Sequence, residues 1–369
     1  MARLGLGPKW NCLFANDIDP KKAASYRANF SNAPELKVAD VSTLIPHDLP
    51  GCPDLVWASF PCQDLSLAGA GAGLSGERSG AFWPFWKLIV QIANGGRKPT
   101  IIALENVCGT LTSHGGRDFA SIANAIAGAG YRFGAMILDA ADFVPQSRQR
   151  LFIVAVSAEA ALSSTLTSKK PNNRLHPPSL LKAHAALPPE TKRHWLWWKM
   201  AGPEPRVARF VDLLEDNPAD VPWASLEQTR TVLDMMSPIN LAKVHKAQLE
   251  RRRIVGAIYR RTRLDEFGNK IQRAEIRFDD ISGCLRTPAG GSSRQRILLV
   301  DRNQIRTRLL SAREAARLMG LPETYCLPDR YNDAYHLTGD GVVVPVVRHI
   351  AELILEPILD QQDIAVAAE

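Results

Sequence analysis

The first 157 residues alternate short apolar runs with longer helix-like segments, and this alternation limits the fold more than any other feature of the chain. Five runs rich in β-branched or large apolar residues predict buried strands: NCLFAND, LKVAD, PDLVWAS, PTIIALEN and RLFIVAVS. Three segments between them predict helices: PKKAASYRANF, AFWPFWKLIVQIAN and GRDFASIANAIAGAG. The pattern therefore predicts an α/β fold with a doubly wound, Rossmann-like and mostly parallel sheet.

Polar side chains follow four of the predicted strands at the point where each strand ends. These are Asp17, Asp40, Cys62 and the pair Glu105 and Asn106. Ligands of doubly wound sheets bind at the carboxyl ends of the strands, so these residues predict one shared crevice. For any one of them alone, a turn residue or a helix cap is the alternative.

The composition changes after about residue 160, where the chain becomes rich in proline and polar residues without clean periodicity. We expect a first domain over residues 1–160 and a linker with a smaller, irregular domain over 161–300. Helical patterns return in SAREAARLMG and PVVRHIAELILEPIL, which predicts that residues 301–369 rejoin the first domain.

Positive charge is concentrated in the second region. The formal net charge is +7, and the segment ERRRIVGAIYRRTR at residues 250–263 holds six arginines. Such a segment favours a polyanionic partner. A solvated, arginine-rich helix face is the alternative.

Several classes of protein are disfavoured by what the sequence lacks. No apolar run approaches the length of a membrane span, and the N-terminus has no hydrophobic signal core. The six cysteines form no C-x-x-C pair, so they indicate neither a disulfide framework nor a zinc site. Free thiols in a reducing cytoplasm are expected.

Three short motifs stand in a fixed order along the chain: Pro61–Cys62–Gln63, Glu105–Asn106–Val107 and QSRQR at residues 146–150. With GLSGERSGAFWPF and RLLSAREAARLMGLPETY, they make the chain resemble the cytosine-C5 DNA methyltransferases of prokaryotic or phage type. That family carries its core motifs in the same order and at similar spacing. The resemblance covers most of the chain apart from residues 160–300.

The resemblance implies methyl transfer from S-adenosylmethionine to C5 of cytosine in duplex DNA. C5 is a poor nucleophile, and addition of a thiolate at C6 makes it enamine-like. Cys62 would be that nucleophile, and Glu105 would protonate or hydrogen-bond N3 of the base. Arg150 and Arg148 would donate to O2 or hold the cysteine loop, with plain salt bridging as the alternative. The target base would be flipped out of the duplex.

The resemblance also assigns binding residues. Asp17 would accept hydrogen bonds from the ribose and Asp40 would meet the adenine amino group, while Phe60 and Pro61 would border the sulfonium. The other cofactor-binding residues implied are Ile18, Asp340, Gly341 and Val342. The arginine-rich region would be the target recognition domain and would contact phosphates first. The substrate-binding residues expected are Gln63, Ser66, Asn106, Gln146, Arg251, Arg252, Arg260 and Arg294. No metal is expected.

The chain departs from the family pattern at two places. The first strand and its glycine loop are not found before MARLGLGPKWNCLFANDID, which resembles the helix that follows that loop. Either the biological chain extends upstream, or a natural truncation leaves neighbouring strands with unpaired backbone groups. The second departure is Asp340, where the family usually has asparagine. An aspartate adds negative charge near the cofactor's carboxylate.

Two rival functions stay open: a non-catalytic DNA-binding relative, and the same chemistry on transfer RNA. The three intact motifs argue against the first rival. A sizeable second region with dispersed arginines favours duplex DNA over the second. We further expect a monomer in the cytoplasm, associated with the nucleoid, and a cognate restriction endonuclease as a cellular partner.

Overall fold

The computed structural model describes residues 1–60, 81–265, 267–287 and 294–367. Its strands are β1 (Ala15–Asp17), β2 (Leu36–Val38), β3 (Leu55–Ser59), β4 (Ile101–Val107), β5 (Tyr131–Asp139), β6 (Gln149–Ser157), β7 (Thr167–Ser168), β8 (Trp197–Trp198), β9 (Ile254–Leu264), β10 (Lys270–Arg277), β11 (Arg296–Asp301) and β12 (Gln304–Leu309). Its α-helices are α1 (Ala2–Leu6), α2 (Pro20–Asn29), α3 (Phe82–Asn94), α4 (Arg117–Gly128), α5 (Pro178–Ala185), α6 (Pro189–Lys192), α7 (Leu226–Asp234), α8 (Pro238–Leu249), α9 (Ala312–Leu318), α10 (Tyr331–Asp340), α11 (Val344–Ile350) and α12 (Glu356–Ala367). A π-helical turn, Ala351–Leu355, joins α11 to α12.

The chain forms two compact units. Unit 1 comprises Met1–Asp139, Gln149–Gly202 and Val344–Glu369, and unit 2 comprises Ala140–Arg148 and Pro203–Val343. These bounds differ from the three segments expected from the sequence. Residues 161–202 belong to unit 1, and residues 301–343 belong to unit 2.

The main sheet of unit 1 has the strand order β3-β4-β6-β5. β3 and β4 are parallel, whereas β6 is antiparallel to both of its neighbours. All five predicted strands are present, and the α/β fold with a parallel-containing sheet is confirmed. β5 was not predicted, although its sequence YRFGAMILD is almost entirely buried.

β1 and β2 form a separate, two-stranded parallel sheet. Among the described residues, β1 pairs with β2 and β3 pairs with β4, so the single sheet expected from the sequence is divided in two. Both β1 and β2 are only three residues long and lack the buried side chains that were predicted for them.

Helices α3 and α4 supply the core that packs on the main sheet. Their apolar residues recur at helical spacing, and two of the predicted helices are thereby confirmed. The large apolar residues that pack in this core are Phe82, Trp86, Ile89 and Ile92 in α3, and Phe119, Ile122 and Ile126 in α4.

Trp198 anchors the proline-rich segment to unit 1. Its side chain is fully buried, and its Nε1 donates to the carbonyls of Gly134 and Val154, each at 3.2 Å. A Cβ on Gly134 would lie 2.1 Å from the carbonyl oxygen of Leu196, so only glycine permits this close approach. The tryptophan therefore explains why residues 161–202 pack with the strands of unit 1.

Unit 2 is built on an antiparallel sheet with the strand order β10-β9-β11-β12. Helices α7 and α8 cover one face of this sheet, where Val232, Met236 and Val244 pack against Ile258 and Ile276. The arginine-rich segment forms most of strand β9. The alternative that it forms a solvated helix face is therefore wrong.

None of the described helices combines the length and the low polarity that crossing a membrane requires.

Candidate active site

Glu105 and Arg150 form an ion pair between neighbouring strands of unit 1. In the antiparallel register, Glu105 of β4 lies opposite Phe152 and Arg150 of β6 lies opposite Val107. Glu105 and Arg150 are therefore diagonal neighbours on the same face of the sheet. Arg150 Nε lies 3.1 Å from Glu105 Oε1, and the two side chains are 16% and 9% exposed. The structure thus brings together the carboxyl and the guanidinium that were predicted to act on one base.

Asn106 links the ends of β3 and β4. Its Nδ2 donates to the carbonyl of Phe60 at 3.4 Å, and its Oδ1 accepts from the backbone N–H of Val107 at 2.8 Å. The Phe60 ring packs against Phe82, with ring centroids 5.3 Å apart. The main chain that leads toward the predicted nucleophile is therefore held beside Glu105. Four predicted site residues lie outside the described residues: Pro61, Cys62, Gln63 and Ser66.

Cys108 is a second thiol beside this pair that sequence reasoning did not single out. Burial raises the pKa of Cys108 to about 11, although the nearby positive charge of Arg150 acts in the opposite direction. The thiol therefore stays protonated near neutral pH and is a poor nucleophile. Its place directly after the ENV motif was the only sequence signal that could have drawn attention to it.

The carboxylates predicted to hold the nucleoside follow adjacent parallel strands. Asp17 ends β1 and accepts from the backbone N–H of Asp19 at 2.8 Å. Asp40 follows β2, and a hydrogen bond from the backbone N–H of Ser42 lowers the pKa of its carboxyl group. The side chain of Ile18 is 64% exposed beside them. Two carboxyl groups next to an exposed apolar side chain fit the hydroxyl groups and the base of an adenosine.

Asn16 holds these strand ends together, and this role was not predicted from the sequence. Its Nδ2 donates to the carbonyl of Lys37 at 3.0 Å and to that of Ala39 at 2.9 Å. The side chain therefore ties the end of β1 to the residues just before Asp40. No local pattern distinguishes such a cross-strand amide from an ordinary turn asparagine.

Arg148 lies in unit 2, where it is 3% exposed. Its Nη1 donates to the carbonyl of Leu285 at 2.9 Å. Its Nη2 donates to the carbonyls of Gly339 at 2.9 Å and Gly341 at 2.7 Å. The guanidinium therefore holds the backbone on both sides of Asp340, which the sequence associates with the cofactor.

Gln146 is fully buried and makes hydrogen bonds within unit 2. Its Nε2 donates to the carbonyl of Leu318 at 2.7 Å, and its Oε1 accepts from the backbone N–H of Leu285 at 3.1 Å. Both ends of the amide thus bind backbone groups of the unit. Contact with a substrate remains a prediction for this residue.

The Asp340 carboxylate accepts a hydrogen bond from the hydroxyl of Thr287. Gly341 follows α10 in an extended conformation, and Val342 is 6% exposed. Thr287 carries no sequence signal for this contact, because the two residues lie far apart along the chain.

The predicted DNA-contacting arginines are spread over unit 2. Arg251 and Arg252 are exposed just before β9, whereas Arg260 is exposed in the outer half of that strand. Arg260 lies six residues beyond Ile254, the first residue of β9, which corresponds to about 20 Å along the strand. Arg294 donates to Asn332 and lies over the ring of Tyr331, 5.7 Å from its centroid. The structure therefore does not bring all four together.

No group of three or more histidine, cysteine or acidic side chains that could hold a metal ion is present among the described residues.

Comparison with known proteins shows similarity over nearly the whole chain. The chain is 26% identical to the type II methyltransferase M.Bsp6I of Bacillus sp. (strain RFL6), over 94% of this chain and 92% of that protein. It is 25% identical to the type II methyltransferase M.HpaII of Haemophilus parainfluenzae, over 96% and 86%.

Two solved structures share the fold. The S. pombe Dnmt2 methyltransferase gives a TM-score of 0.54 at 19% identity, over 97% of this chain and 94% of that chain. A putative DNA modification methyltransferase encoded within an E. coli prophage gives a TM-score of 0.55 at 16% identity, over 97% and 95%. At these identities the likeness supports the fold alone.

The sequence profile described as C-5 cytosine-specific DNA methylase matches residues 2–356. The chain therefore belongs to the C-5 cytosine-specific DNA methylases, the DNA cytosine-5-methyltransferases that use S-adenosylmethionine.

Proposed function

We propose that this enzyme methylates cytosine in duplex DNA through a covalent bond between Cys62 and C6 of a flipped base. The observation that carries the proposal is the partly buried ion pair of Glu105 and Arg150, beside the end of β3 that Asn106 holds. A carboxyl group and a guanidinium at this place could meet the two acceptors of cytosine, N3 and O2, once Glu105 takes up a proton. The chain continues from the same place to Cys62.

The proposed reaction steps and the residue that acts in each are as follows. The Cys62 thiolate forms a bond to C6, and the electron pair of the C5–C6 double bond becomes available at C5. Glu105, in its protonated form, donates to N3, and Arg150 donates to O2, so that charge does not build up on the ring. After methylation, a base removes the C5 proton and the C6–sulfur bond breaks. The aromatic ring and the free thiolate are thereby restored.

The cofactor supplies a sulfonium methyl group, an electrophile that the enamine-like C5 attacks. Asp17 and Asp40 would hold its ribose and adenine, with Ile18 and Phe60 as apolar neighbours. Pro61, Asp340, Gly341 and Val342 are the other residues we assign to it. The carboxylates at the ends of β1 and β2, with Asp17 half-buried and Asp40 exposed, support this assignment.

Duplex DNA is the substrate we propose. A cytosine stacked in a duplex is inaccessible, so it must be flipped out before the enzyme can act on it. Arg251, Arg252, Arg260 and Arg294 would contact its backbone, while Gln63, Ser66, Asn106 and Gln146 would lie near the target base. We propose that the enzyme acts as a monomer. The type II methyltransferases among its relatives support a cognate restriction endonuclease as its cellular partner.

Covalent trapping on 5-fluorocytosine tests the proposal. Fluorine cannot leave C5 as a proton does, so a working enzyme stays bound to the base after methyl transfer. The full chain is incubated with S-adenosylmethionine and mixed-sequence duplex DNA. A denaturation-resistant adduct is expected from the wild type and none from Cys62→Ser. Glu105→Gln should slow its formation by about 10²- to 10⁴-fold, because the acid at N3 is lost.

Glu352→Gln is the matched control, because Glu352 is an exposed member of a surface pair with Arg348. It should form the adduct at the wild-type rate. A cofactor-dependent adduct with transfer RNA but not with DNA would show that RNA is the substrate. Duplex binding without any adduct would indicate a non-catalytic DNA-binding protein.

A further inference from the structure

Strands β9 and β10 extend beyond the sheet of unit 2 as a two-stranded ribbon. Among the described residues, β11 pairs with β9 over residues 254–258 only. Pairing between β9 and β10 continues to Leu264 and Lys270. Residues 259–264 of β9 and 270–275 of β10, here called the ribbon, therefore extend about 20 Å beyond β11, although Ala274 at the base of the ribbon is still buried in the core of unit 2.

The two faces of the ribbon differ in charge. Directly opposed residues of an antiparallel pair share a face. On one face, Glu275 Oε2 lies 3.1 Å from Arg261 Nε, and Glu275 Oε1 accepts from Arg263 Nε at 2.8 Å. This carboxylate offsets part of the positive charge there. We call this the paired face.

The other face continues from the core beneath α7 and α8, where Ile258 and Ile276 are buried. Beyond these residues it carries Arg260, Thr262 and Gln272, all exposed. Gln272 Nε2 donates to Thr262 Oγ1 at 2.8 Å, directly across the two strands. This open face therefore presents an arginine and a glutamine whose amide is already oriented.

Arg260 also has a like-charged neighbour. Arg296 lies opposite Ile258, so it is a diagonal neighbour of Arg260 on the same face of the sheet. Burial lowers the pKa of Arg296, and the positive charge of Arg260 lowers it further. Within the described part of the chain, neither arginine forms an ion pair with a carboxylate. Two adjacent guanidinium groups without an anion are an unfavourable arrangement that a phosphate would stabilise.

We propose that the ribbon enters the major groove of duplex DNA, with Gln272 on a base edge and Arg260 and Arg296 on a backbone phosphate. This inference rests on the proposed function. The major groove is about 12 Å wide and admits a two-stranded β-ribbon. One N–H of the Gln272 amide donates to Thr262, so the second N–H and Oε1 can bind a base. Adenine N7 and N6 offer the matching acceptor and donor.

The sequence preference of methylation tests the proposed role of Gln272. The full chain methylates a plasmid library that contains all short sequence contexts, and bisulfite sequencing gives the preference at each position. Gln272→Ala should lower discrimination at one position by about 5- to 100-fold and leave the others unchanged. Gln304→Ala is the matched control, since Gln304 is exposed at the opposite end of the same sheet. Unchanged preference in Gln272→Ala would overturn the assignment while the proposed function stands.

Salt dependence of duplex binding tests the phosphate contact without any requirement for methylation. Arg260→Ala should lower the slope of log Kd against log salt by about 0.9 and weaken binding equally across sequences. Arg302→Ala, in the turn between β11 and β12, should leave the slope unchanged. Equal slopes for Arg260→Ala and the wild type would overturn the ribbon's role in DNA binding. Normal binding and slopes without methylation would instead overturn the proposed function.

Discussion

Arg308 and Glu314 form a bidentate ion pair whose side chains are both fully buried in unit 2. The two hydrogen bonds measure 2.7 and 2.6 Å. Glu314 also accepts from the backbone N–H groups of Ser311 at 2.8 Å and Glu215 at 2.7 Å. Arg308 donates in turn to the carbonyl of Glu215 at 2.7 Å. Two residues of the motif RLLSAREAARL therefore join β12 and α9 to the chain segment around Glu215.

Removing the charge of Glu314 should strongly destabilise unit 2. Glu314→Gln leaves Arg308 buried without its counter-charge, and we expect a loss of about 3–5 kcal/mol in the free energy of unfolding. Glu323→Gln makes the same substitution in the pair with Arg317, where Glu323 is 63% exposed, and should cost less than about 1 kcal/mol. Urea denaturation followed by tryptophan fluorescence compares the two. Similar losses would contradict a special role for the buried pair.

The stability of unit 1 should fall in mild acid because of His176. This side chain is fully buried, and burial lowers its pKa from 6.5 to about 4. As the pH falls from 6.5 toward 4, the unfolded chain binds a proton at this position that the folded chain does not, so folding becomes less favourable. His176→Asn should flatten the decline of the urea midpoint over this range. The same substitution at the exposed His47 should leave the decline as steep as in the wild type.

Local patterns were sufficient to predict most of the fold. Apolar runs located β3, β4 and β6, and spaced apolar residues located α3 and α4. They could not reveal that β6 runs antiparallel to β4, because a buried strand reads the same in either direction. Nor could they assign the proline-rich segment to unit 1, because its attachment depends on Trp198 meeting a glycine elsewhere in the chain.

The candidate site was predictable where its residues belong to recognisable motifs. Glu105 and Arg150 were named from motifs, and the register of β4 and β6 brings them together. Asn16 and Thr287 act through hydrogen bonds with residues distant in the chain, which no local spacing encodes. The ribbon could not be predicted, because composition alone does not distinguish an arginine-rich strand from an arginine-rich helix.

Asp340 should weaken cofactor binding. Its carboxylate is held by Thr287, and the family resemblance expects it near the cofactor's own carboxylate. Asp340→Asn removes one negative charge, and the KM for S-adenosylmethionine should fall by about fivefold. That factor corresponds to about 1 kcal/mol, the interaction of two like charges 4 Å apart in water. Initial rates at saturating DNA measure it. If both cofactor affinity and turnover stay unchanged, Asp340 has no such effect.

Arg148 and Arg150, two residues apart, should respond differently to the same substitution. Arg148→Lys cannot donate to the carbonyls of Leu285, Gly339 and Gly341 together. Leaving buried carbonyls unpaired should cost about 2–3 kcal/mol of stability. Arg148→Lys should also raise the KM for the cofactor, because the backbone around Asp340 loses the hydrogen bonds that hold it.

Arg150→Lys keeps a cation beside Glu105 but loses the planar donor pair that we assign to O2 of the base. We expect kcat to fall about 10²-fold or more, as when a donor to a developing oxyanion is lost, with stability changed by less than about 1 kcal/mol. Denaturation curves and the separate kcat and KM values of the two variants check this division. A fall in kcat alone for Arg148→Lys would show instead that Arg148 acts on the base, because a residue that only positions backbone must change stability or KM.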